Sequence, residues 1–139
     1  MLTREQFDAI PRRGEPDSGY GWREISPDGR WAIVVRLHDA RMSHWIAVAE
    51  LYRLAPLERV IPIGDTLWSC DVARFEDAST LVIEARRYPG DLPGATLRLR
   101  LDEERASVRI ATGEEHDDLD FSALVDLLCR WPEHQSPRR

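Results

Sequence analysis

Lysine and asparagine do not occur in this chain, and all 19 of its Lys+Arg positions are arginine. Both missing residues are encoded by A-rich codons, which points to a GC-rich bacterial genome. Without lysine there is no Schiff-base chemistry, no phosphate-loop lysine and no kinase-type lysine. Without asparagine there is no N-glycosylation acceptor. Cysteine is scarce, with Cys70 and Cys129 the only 2. They are too few for a disulfide framework and lack metal-ligand spacing, so both are expected as reduced, partly buried thiols. No apolar run reaches the roughly 18 residues of a membrane span. The opening MLTREQFDAIPRRG has no signal-peptide core. The expectation is a cytoplasmic protein with no membrane partner.

What is present fits one domain, since 139 residues can bury about two-thirds of their unfolded surface without a metal or disulfide. The net charge of −6 favours solubility and disfavours binding to nucleic acid or anionic lipid. The same charge would steer a basic partner toward the chain.

Thr3 and Gln6 have capping-box spacing, and Leu2 and Phe7 hold the positions of a hydrophobic staple. A short helix over 4–10 is predicted, stopped at Pro11. Ser26-Pro27-Asp28-Gly29 reads as a hairpin turn, with Gly29 free to take the left-handed conformation. In the strand after it, Trp31, Ile33, Val35 and Leu37 share one face, while Ala32 and Val34 make much of the other apolar too. That strand is expected to be central and covered on both sides. Pro62 marks an edge strand or a strand end. Ala95, Leu97, Leu99 and Leu101 alternate strictly with Thr96, Arg98 and Arg100. Phe121, Leu124, Val125, Leu127, Leu128 and Trp131 make one apolar face of a C-terminal helix from about Asp118 to Trp131, with acids at its start and Pro132 as its stop.

The predicted fold is mainly β (α+β), with about eight antiparallel strands as two four-strand meander units. The units span 20–63 and 64–111, preceded by a short helix and loop at 1–19 and followed by the helical segment 112–132, packed on the sheet, and a tail at 133–139. The second unit repeats the first: with Trp31 laid on Leu81, Ile33 falls on Ile83, Ala47 on Leu97, Leu51 on Leu101 and Val60 on Ile110. The SPDGR turn and the four-strand period resemble bacterial β-propeller repeats. That resemblance implies a binding scaffold and no particular chemistry. Two units cannot close a ring, so the C-terminal helix must cover what further blades would cover. MSHW at 42–45, LWSCD at 67–71 and RRYPGD at 86–91 resemble segments of small uncharacterised bacterial proteins, a likeness that brings no activity with it.

Chemistry is hard to find. His38 and His44 flank one connection but have only Asp39 nearby as a third ligand, so no metal or other cofactor is expected. Neither GxSxG nor SxxK occurs. The acids at 114, 115, 117, 118 and 120 read as a solvated helix start, with a carboxylate pair for glycoside chemistry as the sharper alternative. Arg86 and Tyr88 share a strand face, where they could stack. Trp22, Trp45 and Trp68 lie near strand starts, where partial exposure is expected. An antiparallel meander can gather His44, Trp45, Trp68, Arg87 and Tyr88 on one rim, with the aromatic and arginine composition of an interface core. The function expected is a small protein-binding module, such as an immunity or adaptor protein that occupies a basic partner. The alternatives are an enzyme with a dispersed site on that rim and a structural domain acting by self-association.

Overall fold

The computed structural model describes residues 2–39, 45–61, 68–87 and 94–134, with the backbone alone at Asp39, Trp45, Arg87 and 131–134. Helix α1 (Arg4–Ala9) leads into a single 3-10 turn. Among the described residues nine strands follow: β1 (Gly21–Ile25), β2 (Trp31–Asp39), β3 (Trp45–Leu54), β4 (Leu57–Ile61), β5 (Trp68–Asp77), β6 (Thr80–Arg87), β7 (Ala95–Arg100), β8 (Arg105–Ile110) and β9 (Glu115–Asp120). Helix α2 (Phe121–His134) comes last.

The capping box forms in both directions: the Gln6 N–H donates to Thr3 Oγ1 at 3.1 Å, and the Thr3 N–H to Gln6 Oε1 at 2.9 Å. Phe7 is the buried anchor of α1, and Leu2 packs in the same cluster, as a staple requires. Beyond Pro11 the chain runs parallel to β1. Arg23 N–H donates to Pro11 O at 2.9 Å, and Arg13 N–H to Arg23 O at 3.1 Å. This stretch covers a sheet edge that would otherwise be open to pairing.

The hairpin at Ser26–Arg30 is built by side chains as much as by backbone. Gly29 sits at φ +77°, where any Cβ would be strained, and its N–H reaches Ser26 O at 2.9 Å. The Asp28 carboxylate accepts from Arg30 Nε at 2.6 Å and Ser26 Oγ at 2.8 Å. These two bonds, the arginine's first, hold its pKa down at about 2.

The strands form two antiparallel meanders, β1-β2-β3-β4 and β5-β6-β7-β8-β9. Strand β2 is central and covered on both faces, as its two apolar rows predict. Trp31, Ile33 and Val35 enter the core shared with the second sheet. Ala32 and Val34 lie with Phe7 and Tyr52 under α1. The shared core joins Leu81, Ile83, Leu97, Leu99, Val108 and Ile110 of the second sheet to Phe121, Leu124 and Leu128 of α2. Both meanders therefore fold around one hydrophobic interior.

The two units repeat in strand order but not in register. Ile33 faces Leu51 across β2–β3, yet the counterpart Ile83 faces Leu97 and not Leu101.

The second departure lies at residues 115–120. The sequence places acids there at a helix start, but Glu115–Asp120 is a fifth strand of the second sheet, and α2 begins only at Phe121. Arginines of the neighbouring strands explain it: Arg109 Nε meets Glu115 at 3.0 Å, and Arg100 and Arg105 both reach Asp118. Asp120 then caps α2, accepting the Ala123 N–H at 2.7 Å.

Pro132 does not stop α2, which continues to His134. A proline four residues beyond Leu128 has no N–H to give the Leu128 carbonyl. The Trp68 indole donates to that carbonyl, with Nε1 at 3.0 Å from Leu128 O.

Candidate functional site

Of the five rim residues expected from the sequence, Trp45, Trp68 and Arg87 lie among the described residues. Strands β3 and β5 begin side by side, tied by the Ala47 N–H donating to Ser69 Oγ at 3.1 Å. Trp45 lies across from Asp39 at the start of β3, and Arg87 lies across from Trp68 at the start of β5. The backbone positions of Trp45, Trp68 and Arg87 thus gather at one corner where the two sheets meet. His44 and Tyr88 lie outside the described residues.

Trp68 itself corrects the expectation of partial exposure. It is 1% exposed and is committed to α2 through the Leu128 carbonyl, so it is a support beneath the surface and not a contact residue. Trp22 is half-buried, with the Arg13 guanidinium 4.7 Å above its ring. Arg86 holds Asp71 with two bonds of 2.8 and 3.1 Å, an ordinary ion pair at a strand end.

Along the outer side of the helix that Trp68 supports lies an open groove of about 750 Å³. It is lined by Val60 of β4, by Asp120, and by Phe121, Ser122, Ala123, Val125, Asp126 and Cys129 of α2. The groove exists because α2 follows from β9 at the edge of the second sheet and lies beside β4 at the edge of the first. The pattern that revealed the helix shows only its buried face. Ser122, Asp126 and Cys129, on the other side of α2, carry no periodic signal.

The two thiols differ sharply. Burial pushes Cys70 up to about 12, with Asp71 adding to the effect, so it holds no thiolate near neutral pH. Cys129 is exposed at the groove.

A buried carboxylate that the sequence reading passed over lies on the outer face of the first sheet. Glu50 accepts from Arg36 at 3.0 Å, Arg59 at 2.9 Å and the Tyr52 hydroxyl at 3.1 Å. The Tyr52 oxygen in turn accepts the Leu2 N–H at 3.2 Å, tying the N-terminal segment to the sheet. Gly21 faces Arg36, and a Cβ there would stand 3.2 Å from Arg36 Cγ, so the missing side chain makes room for the arginine. The signal was a lone acid in the apolar run WIAVAELY, since a buried carboxylate demands cationic partners.

Burial works to raise the pKa of Glu50, but the Arg59 bond, the charge of Arg36 and the Tyr52 bond outweigh it and leave the group lowered. Its folded pKa therefore lies below its unfolded value of about 4.3. The stability it contributes is complete above that unfolded value and is lost as pH falls through the folded pKa. Glu50→Gln should destabilise the protein by about 2 kcal/mol at neutral pH. That is less than a fully buried pair would lose, because both arginines reach water. The difference from wild type should shrink in chemical denaturation below about pH 4. A difference that stays constant down to acid pH would show that the charge is not what matters.

The other face of the second sheet is a lattice of exposed ion pairs. Arg98 is paired with Glu76, Arg109 with Glu115, and Arg74 with Glu76 and Glu84. Such pairs contribute little each and leave the arginines engaged. The acids expected at a helix start are distributed in the same way: Glu114 faces His116, Glu115 and Asp118 pair with arginines, and Asp120 caps α2. Among the described residues no group of three or more His, Cys, Asp and Glu could hold a metal ion, and no helix is long and apolar enough to cross a membrane. Compared with protein-family models, with curated proteins and with solved structures, the chain finds no match.

Proposed function

We propose that this chain is a small protein-binding module that occupies a partner through the groove between α2 and β4. The groove itself carries the reading: an open cleft lined by apolar Val60, Phe121 and Val125 together with Asp120, Ser122 and Asp126. Apolar and polar side chains side by side in one cleft suit a protein interface. The net charge of −6 favours a basic partner. The backbone of Trp45 and Arg87 lies at the corner where β3 and β5 begin. An immunity or adaptor role fits a module of this size and charge.

The two thiols supply the test. A bulky maleimide should label exposed Cys129 and spare buried Cys70. Unlabelled and labelled protein would each serve as bait in an extract of the source organism. A stoichiometric partner held by the first and lost from the second is the expected result. A partner retained equally by both would place the interface elsewhere.

A further inference from the structure

We infer that a second site, at the opposite edge of the first sheet from the groove, binds a compact doubly charged oxyanion: inorganic phosphate or the phosphate of a small monoester. A cleft of about 310 Å³ lies where residues 11–13 run beside β1, lined by Arg12, Arg13, Arg23, Glu24 and Ile25. Arg12 and Arg23 are direct neighbours across a parallel bridge, which sets two cations side by side. Like charges so placed repel and cost stability unless an anion lies between them. The chain's own carboxylates do not fill that role. Glu24 is taken by Arg13, which bonds it at 2.9 Å and stands over the Trp22 ring. Glu15 turns to the Arg12 backbone and accepts its N–H. Asp8 is shared with Arg4 at 3.5 Å and comes no nearer to Arg23 than 3.7 Å.

Two guanidinium groups therefore have donors to spare. Among the described residues the exposed Arg12 side chain makes no hydrogen bond or ion pair. Arg23 gives Nη1 to the Phe7 carbonyl at 3.1 Å, its Nε is buried with no partner, and its Nη2 bonds nothing among the described residues. The bond to Phe7 and the Phe7 ring, 5.0 Å from the guanidinium carbon, hold Arg23 in place before any ligand arrives. Planar arginine forks bond two oxygens of one phosphate at a time, and a dianion answers both positive charges where a carboxylate answers one. The acids around the cleft and the net charge of −6 limit the size of the ligand. A compact ion meets only the arginines, whereas a nucleic-acid strand would also meet the repelling field beyond them.

The probe is inorganic phosphate, titrated into the isotopically labelled full chain and followed by amide NMR shifts, with ionic strength held constant by sodium chloride. The signals of Arg12, Arg13 and Arg23 should shift and saturate by about 10 mM phosphate. Arg12→Ala changes an exposed side chain and keeps the backbone N–H that Glu15 accepts. It should weaken binding at least about tenfold, the loss of one charge-assisted hydrogen bond. Arg12→Glu should abolish binding, and Arg98→Ala, at an exposed arginine already paired with Glu76, should leave it unchanged. Tighter binding of phenyl phosphate than of inorganic phosphate would identify a monoester as the ligand, and equal binding would identify the free ion. Acetate should bind at least about tenfold more weakly than either. Absence of a saturable shift with both phosphates would overturn the site, and so would an Arg12→Glu variant that binds like wild type. Acetate binding as tightly as phosphate would overturn the choice of a dianion.

Discussion

A chain ended at Asp120 should lose its cooperative unfolding transition. That truncation keeps the nine described strands and removes α2 with the residues after it. Three side chains of the helix, Phe121, Leu124 and Leu128, sit inside the shared core, and Val125 and Leu127 pack against it. Each of the three contributes about 1.5–3 kcal/mol by leaving water, against a total of about 5–15 kcal/mol for a small domain. The loss also uncovers Trp68, whose indole bonds to the helix backbone. The truncated protein should be insoluble, or should keep far-ultraviolet dichroism while losing the near-ultraviolet signal and a sharp melt. A soluble truncation with a sharp thermal transition would show that α2 is an accessory.

The second large effect is at Trp68. Replacing it with Ala should cost about 3–5 kcal/mol, the range for a buried aromatic. Trp68→Phe is more informative, because it keeps an aromatic ring and removes the donor. The Leu128 carbonyl then loses its indole donor. Such a loss typically costs about 1–3 kcal/mol. Pro132→Ala restores a backbone N–H at that place. The double variant should therefore be more stable than the sum of the single changes predicts, by at least about 0.5 kcal/mol in urea denaturation. Strict additivity would mean that the tryptophan contributes by volume alone.

These two results concern residues that the sequence treats very differently. The apolar stripe of α2 is readable from its spacing, and so are the capping box at Thr3, the turn at Gly29, the doubly covered strand β2 and the alternation in β7. In each case the signal is local, and the residues that carry it are the ones that pack. Strand β9 is unreadable for the opposite reason. Asp is disfavoured in strands, and nothing within EHDDLD alternates. It pairs because β8 offers an edge and because arginines on β7 and β8 attract its carboxylates.

Trp68 illustrates the same limit at the site. It begins a strand, and a strand start looks exposed until a helix 60 residues away lies over it. The groove inherits this difficulty, since its walls come from β4 and α2, and their meeting depends on how β9 delivers the helix. Glu50 was more accessible. An acid in an apolar strand must either find cations or pull the strand to the surface. Arg36 on the next strand and Arg59 just beyond the hairpin were both available.

The most direct test of the groove is amide hydrogen exchange on the chain alone and with its captured partner bound. The account predicts new protection at residues 57–61 and along α2, with the ion-paired outer face of β6 to β8 unchanged. Protection confined to that outer face, with β4 and α2 exchanging as in the free protein, would contradict it.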